Sequence, residues 1–88
     1  SPNVTIEKDA EVKYSVIMPG ATIKSGAKVY YSIIAEDAVI ESGAQIGAIP
    51  EDLENPEDWG VAVIGSGATI TSGKKIAPKE MIASGEEV

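Results

Sequence analysis

The stretch that decides the fold lies between residues 14 and 46, where YSVIMPGATIKSGAKV (14–29) is followed by YSIIAEDAVIESGAQI (31–46). The two halves agree in residue type at most positions, because Tyr, Ser, Ala and Gly recur seventeen residues apart. Branched aliphatic residues recur across both halves in steps of five, six and six: Val12, Ile17, Ile23, Val29, Ile34, Ile40 and Ile46. The pattern therefore predicts a repeating coil of seventeen residues with three short sides.

Hexapeptide steps of this kind are typical of a solenoid, and in particular of a parallel β-helix, in which each side of a triangular coil is a short strand. Successive coils stack at about 4.8 Å, the spacing of paired strands, so equivalent residues lie above one another. Ile and Val suit such a column because their stiff side chains pack well on a pleated surface. We therefore predict an all-β, single-stranded parallel β-helix of about four coils, a hexapeptide-repeat solenoid cored by stacked aliphatic residues.

A small residue stands four places after each aliphatic residue, where a narrow triangle has little room. These positions are Ala21, Ala27, Ala38, Ala44 and Ala68. A Gly or Asp precedes each of these alanines, and such residues adopt the positive φ of a tight turn at low cost. The sequence thus predicts the corners of the coil as well as its sides.

The same period extends to both ends of the chain, with one interruption. Ile6 lies six residues before Val12 and so keeps the six-residue step at the start of the chain. After the repeat, a second series has the same step: Ile64, Ile70, Ile76, Ile82 and Val88. Between Ile46 and Ile64 the spacing is eighteen residues where the pattern requires five, so we predict a loop insertion at about residues 47–60. Its prolines and acidic residues favour a loop, which is either a docking loop for a neighbouring domain or subunit or a simple packed excursion.

One residue breaks the second series. Lys74 stands where alanine is expected, and a charged group inside the triangle would be costly to bury. We therefore expect the coil to begin to open at Lys74, with residues 79–82 closing the end as an atypical cap.

Composition limits the classes of function that are possible. A chain of 88 residues has the length of one domain or a piece of one, and we expect a β-helix this short to have two open ends that something must cap. It has no Cys and no Arg and a net charge of −7, which argues against disulfides and against a nucleic-acid surface.

No apolar run is long enough to span a membrane, so we expect a cytoplasmic location. Because the chain starts at Ser1 without a methionine, we expect it to be a fragment of a longer chain, with residues 1–88 forming one β-helix domain.

Aromatic residues provide the candidate interaction sites. Tyr14 and Tyr31 occupy the same place in successive coils, with Tyr30 beside them, so we expect either a stacked aromatic ladder or a contact face for another domain or subunit. Leu53 and Trp59 are the bulky apolar residues that could hold the insertion against the helix wall. Ser15 and Ser32 are also in register, and we expect them to make hydrogen bonds in turns. The candidate interface residues are Tyr14, Tyr30, Tyr31, Leu53 and Trp59.

Residues for catalysis are missing from the sequence. Acyltransferases with hexapeptide repeats use a histidine as general base, and carbonic-anhydrase-like members of the fold use three histidines to bind zinc, but this chain has no His. The carboxylates of the insertion do not have the spacing of a Ca²⁺ loop and are expected to be solvated. We therefore predict no catalytic, cofactor-binding or metal-binding residue, and expect this segment alone to be non-catalytic.

Four segments together resemble a known family. The run 14–20 (YSVIMPG), its echo at 31–34 (YSII), the stretch 58–65 (DWGVAVIG) and the end 78–82 (PKEMI) resemble the C-terminal left-handed β-helix domain of bacterial glucose-1-phosphate adenylyltransferase, also called ADP-glucose pyrophosphorylase. The resemblance covers nearly the whole chain, and left-handedness enters only through it. The coil repeat is shared by many sugar-nucleotide transferases, whereas the insertion and the closing segment are more specific.

The resemblance implies a parent enzyme that makes ADP-glucose and pyrophosphate from ATP and glucose 1-phosphate, with Mg²⁺, for glycogen synthesis. In that family the active site lies in an N-terminal nucleotide-binding domain, on which the β-helix packs, and the subunits form a tetramer. No catalytic or metal-binding residue of that domain can be placed in this chain. Two alternatives stay open: the β-helix of another sugar-nucleotide pyrophosphorylase, and a free-standing structural hexapeptide-repeat protein.

Overall fold

Short strands account for all the regular structure that can be described. The computed structural model describes residues 4–49, 57 and 60–88. Within those residues there are twelve strands, each of two or three residues: β1 (Thr5–Ile6), β2 (Glu11–Lys13), β3 (Val16–Ile17), β4 (Thr22–Ile23), β5 (Lys28–Tyr30), β6 (Ser32–Ile34), β7 (Val39–Ile40), β8 (Gln45–Ile46), β9 (Ala62–Ile64), β10 (Thr69–Ile70), β11 (Lys75–Ile76) and β12 (Met81–Ile82).

The strands form three parallel sheets of four strands each, and every coil contributes one strand to each sheet. The first sheet has the order β1-β4-β7-β10, the second β2-β5-β8-β11 and the third β3-β6-β9-β12. Ile17 pairs with Ile34, and Ile34 pairs with Ile64, so the same position of the repeat stacks on itself from coil to coil. The chain is a left-handed parallel β-helix, which confirms the predicted fold class.

The predicted aliphatic columns form the core. Ile23, Ile40 and Ile70 of the first sheet are fully buried, as are their equivalents in the other two sheets: Val29, Ile34, Ile46 and Ile64. The five alanines at the small positions are fully buried too, which confirms that the interior is narrow. One further alanine, Ala62, is buried at the start of β9 and was not predicted.

The two ends of the tube differ in how well the core is covered. At the first coil Ile6 is 49% exposed, and Val12 and Ile17 are only partly buried. At the last coil Ile82 is only 7% exposed. Val88 helps to close that end, because its carbonyl oxygen accepts hydrogen bonds from the amide of Thr71 at 2.9 Å and from the Thr71 hydroxyl at 2.6 Å.

The corners have the predicted left-handed backbone conformation. Positive φ angles occur at the Gly or Asp before each of the five predicted alanines, for example 61° at Asp37 and 82° at Gly20. Gly20 has a second reason to lack a side chain, since a β-carbon there would collide with the carboxylate of Asp37 in the next coil. The corner therefore depends on backbone conformation and on close stacking of coils together.

The expected opening of the coil at Lys74 is wrong. The Lys74 carbonyl oxygen accepts a hydrogen bond of 2.8 Å from the amide of Gln45, and β11 pairs in register with β8. The side chain of Lys74 is exposed because it belongs to the last coil, whose outer edge faces solvent. A lysine is tolerated there because no charge has to enter the triangle.

Stability measurements test whether the columns carry the fold. We predict that Ile40→Ala lowers the free energy of unfolding by about 2–5 kcal/mol, the cost of leaving a cavity in a core that cannot collapse. The adjacent Val39→Ala is the matched control, because Val39 lies in the same strand with its side chain on the outer face and is only partly buried. It should cost about 1 kcal/mol or less. Urea unfolding followed by circular dichroism measures both, and equal losses would contradict an interior column.

Candidate functional site

The two tyrosines predicted to form a ladder are stacked. The ring centroids of Tyr14 and Tyr31 are 4.8 Å apart, and the ring planes are inclined by 25°. Both residues have positive φ angles, 51° and 48°, which are unfavourable for a bulky side chain. Ring stacking between neighbouring coils offsets part of that cost, since an aromatic pair contributes about 0.5–1.5 kcal/mol beyond the burial of its area.

Serine side chains complete the backbone hydrogen bonding at this corner. The Ser15 hydroxyl donates to the carbonyl oxygen of Lys13 at 2.9 Å, and its oxygen accepts from the amide of Ser32 at 3.0 Å. The buried hydroxyl of Ser32 donates to the carbonyl oxygen of Tyr30 at 2.7 Å. These contacts confirm the predicted turn role of both serines. They also explain how the chain tolerates a tyrosine in the left-handed conformation without leaving the Ser32 amide unpaired.

Tyr30 makes a hydrogen bond between the first two coils. Its hydroxyl donates to a carboxylate oxygen of Glu11 at 2.5 Å, and Glu11 also pairs with the ammonium of Lys13 at 3.3 Å. The hydrogen bond from Tyr30, followed by the interaction with Lys13, lowers the pKa of Glu11. Tyr30 thus links β5 to β2 in the second sheet, while the rings of Tyr14 and Tyr31 stack as predicted.

The insertion leaves and rejoins the tube at the same corner. The spacing of paired residues rises from 17 between Ile17 and Ile34 to 30 between Ile34 and Ile64, so the extra residues fall between β8 and β9. Of the candidate interface residues, Leu53 and Trp59 lie outside the described part of the chain. Lys79 was not singled out from the sequence, yet its ammonium donates to the carbonyl oxygen of Glu57 and its aliphatic stem covers Gly60.

The outer surface of the third sheet is apolar. Along the strands β3, β6, β9 and β12, the outward position is held by Val16, Ile33, Val63 and Met81, in register from coil to coil. Val16 is 56% exposed and Met81 is 76% exposed. Tyr14, Tyr31 and Val61 line the adjoining corner. We call these seven residues the third face.

The other two sheets have different outer surfaces. The outward positions of the first sheet are Thr5, Thr22, Val39 and Thr69, and those of the second sheet are Glu11, Lys28, Gln45 and Lys75. The sequence carries a signal for this face, because an apolar residue precedes the core Ile in every coil on this side of the triangle, whereas Val39 is the one such residue on the other two sides. Polar or small residues precede it on most positions of the other two sides.

The described residues offer a surface rather than an enclosed site. They contain no pocket and no group of three or more Asp or Glu side chains placed to hold a metal ion. None of the described segments forms a helix long and apolar enough to cross a membrane. What the arrangement can do is bind another macromolecule through a flat face, as exposed apolar patches with a polar rim commonly do.

Comparison with known proteins gives one match. A family model described as GlmU-like, C-terminal hexapeptide matches residues 1–70. No curated protein and no solved structure gives a significant match. The matched region includes the first three coils, the tyrosine ladder and the insertion.

A titration tests the link between Tyr30 and Glu11. Because Tyr30 donates to the ionised carboxylate, we predict that Tyr30→Phe raises the pKa of Glu11 toward its ordinary value, measured by NMR of the side-chain carboxyl carbon. Since the folded-state pKa is depressed, the stabilisation from Glu11 is present above the unfolded pKa and is lost as pH falls through the folded one. Tyr14→Phe is the control and should leave the titration unchanged, and an unshifted Glu11 in Tyr30→Phe would contradict the link.

A double-mutant cycle tests the stacked pair. Replacing Tyr14 and Tyr31 by Ala, singly and together, should give a coupling energy of about 0.5–1.5 kcal/mol in the free energy of unfolding. A second cycle between Tyr14→Ala and Met81→Ala is the control, because these residues lie in the first and last coils and should be additive. Additivity in both cycles would show that the stacking does not stabilise the corner.

Proposed function

The chain belongs to the GlmU-like, C-terminal hexapeptide family, and from this we propose that it is the non-catalytic β-helix module of a sugar-nucleotide pyrophosphorylase. The observation that carries the proposal is the family match over residues 1–70 of a hexapeptide β-helix whose strands pair in register on both sides of its one insertion. The family description places the hexapeptide region at the C-terminal part of its proteins, which suits a module that follows another domain. In this proposal residues 1–88 are one domain of a longer polypeptide.

An assembly role suits the physical character of the module. Its interior is filled by Ile, Val and Ala side chains, so a substrate has no room inside the tube. Its distinctive features lie on the outside: the third face and the stacked pair of Tyr14 and Tyr31. We propose that this side of the helix contacts the catalytic domain or a neighbouring subunit, with the insertion at residues 47–60, including Leu53 and Trp59, as a second contact.

The specific reaction we propose is that of glucose-1-phosphate adenylyltransferase. The segments 58–65 and 78–82 support this choice, since the resemblance there is more specific than in the coil repeat, to which the run 14–20 belongs. The parent protein would join ATP and glucose 1-phosphate with Mg²⁺ and release pyrophosphate. It would act in the cytoplasm as a homotetramer and supply ADP-glucose for glycogen synthesis. The Mg²⁺ site and the catalytic groups would lie in the nucleotide-binding domain, outside these residues.

A second candidate is supported by the same family match. The GlmU-like description fits the β-helix of another sugar-nucleotide pyrophosphorylase equally well, with a different nucleotide or sugar. The family match does not distinguish the two candidates, because the hexapeptide repeat is common to both.

Nucleotide selectivity of the full-length parent tests the proposal. We predict that pyrophosphate release with glucose 1-phosphate and Mg²⁺ is at least tenfold faster with ATP than with dTTP, UTP, GTP or CTP. The isolated 88 residues are the control and should release none, because they have no histidine and no enclosed site among the described residues. Preference for another nucleotide would support the second candidate. Product formation by the isolated chain, or no release by the parent with any nucleotide, would overturn the proposal.

A further inference from the structure

The last coil turns one of its corners with a lysine in the left-handed backbone conformation. The φ angle of Lys79 is 72°, in a region that glycine enters freely and that a long side chain enters at a cost. Most corners of the tube avoid this cost with Gly or Asp, for example Gly20 and Asp37. Among the described residues the other exceptions are Tyr14 and Tyr31, whose rings stack between coils. A backbone cost of this kind is expected where the side chain makes a contact that the structure uses.

The side chain of Lys79 contacts the point where the insertion rejoins the tube. Its ammonium donates a hydrogen bond to the carbonyl oxygen of Glu57. Its aliphatic stem lies over Gly60, where an added β-carbon would come within 2.5 Å of the Lys79 Cγ atom. Gly60 therefore leaves the space that the stem occupies. An aspartate at position 79 would suit the corner backbone better, but it has no donor for that carbonyl oxygen.

The same corner also contacts the point where the insertion leaves the tube. Just before the corner, the carbonyl oxygen of Ile76 accepts a hydrogen bond of 2.9 Å from the amide of Gly47. Just after it, the carbonyl oxygen of Glu80 accepts a hydrogen bond of 2.9 Å from the amide of Val63 in β9. Residues 76–80 thus contact both ends of the insertion and the strand that follows it.

The corner is itself a closed turn. The Glu80 amide donates to the carbonyl oxygen of Ala77 at 3.2 Å, and the Glu80 carboxylate accepts a hydrogen bond from the amide of Ala77 at 3.4 Å. Between them, the ring of Pro78 fixes its own φ angle. The backbone from which Lys79 reaches the insertion is therefore preformed, and the side chain has to be ordered only beyond the α-carbon.

We propose that Lys79 is a latch that joins the rejoining point of the insertion, at Glu57 and Gly60, to the last coil, so that local opening at one of them opens the other. By linkage, a partner that binds the insertion with the latch closed also stabilises the last coil, and a change in the last coil alters binding at the insertion. Because the hydrogen bond from Lys79 is exposed to solvent, the latch can open in the native protein. The inference rests on the proposed assembly role, in which the insertion is a contact for another domain or subunit.

Amide hydrogen exchange of the 88-residue chain, followed by NMR, tests the latch. Lys79→Asn is the main variant, because asparagine tolerates the left-handed conformation but is too short to keep the contact. It should speed exchange of the Gly47 and Val63 amides by about two- to tenfold, the range that one hydrogen bond supports. Lys74→Asn is the matched control, since Lys74 is an exposed lysine at another corner of the same coil. It should leave both amides unchanged.

A second variant opens the latch from the side of the insertion. Gly60→Ala displaces the lysine stem and should speed exchange of the same two amides. The Thr22 amide, which is hydrogen-bonded between the second and third coils, should exchange as in the unmodified chain in every variant. Unchanged exchange at Gly47 or Val63 in either latch variant, or equal acceleration at Thr22, would overturn the inference. Neither result affects the nucleotide selectivity of the parent, so failure of this inference and failure of the proposed function are distinguishable.

Discussion

The rest of the structure depends on the stacking of Ile and Val columns inside a narrow triangle. Each coil adds one aliphatic side chain per sheet to a dry column, and residues such as Ile34 and Ile64 lie in register and fully buried. Between the columns only alanine fits, as Ala38 and Ala68 show. Because equivalent residues stack on themselves, the interior has no room for a ligand, and any function must lie on the outside of the tube.

The corner between the second and third sheets departs from this regular pattern. Tyr14 and Tyr31 adopt a left-handed backbone conformation there, and the Ser15 hydroxyl accepts a hydrogen bond from the Ser32 amide. The insertion begins at the same corner in the next coil, after β8. A solenoid tolerates such an excursion because pairing resumes in register beyond it, with Ile34 on Ile64. The tyrosines, the third face and the points where the insertion leaves and rejoins the tube therefore lie on one side of the β-helix.

Much of the fold could be predicted, because the interior repeats. The step of six identified the buried Ile and Val residues, and the alanines and corner glycines followed from the limited space. The prediction that failed, at Lys74, treated the end of the tube as if it were its middle, although β11 is the last strand of the second sheet and no further strand covers it among the described residues. The third face was missed because the residues before the core Ile were not compared between the three sides. The hydrogen bond from Tyr30 to Glu11 was not predicted either, since it joins residues nineteen apart in the chain.

What the sequence by itself determined is the period, and with it the all-β solenoid, the buried columns and the place of the insertion. These follow from local chemistry, since each side of each coil repeats the same choice of aliphatic, small and turn residues. Only the tertiary structure decided which outward residues meet, because stacking brings together Val16, Ile33, Val63 and Met81, which lie seventeen or more residues apart in the chain. It also decided that Tyr30 pairs with Glu11, a contact across coils that depends on side-chain direction.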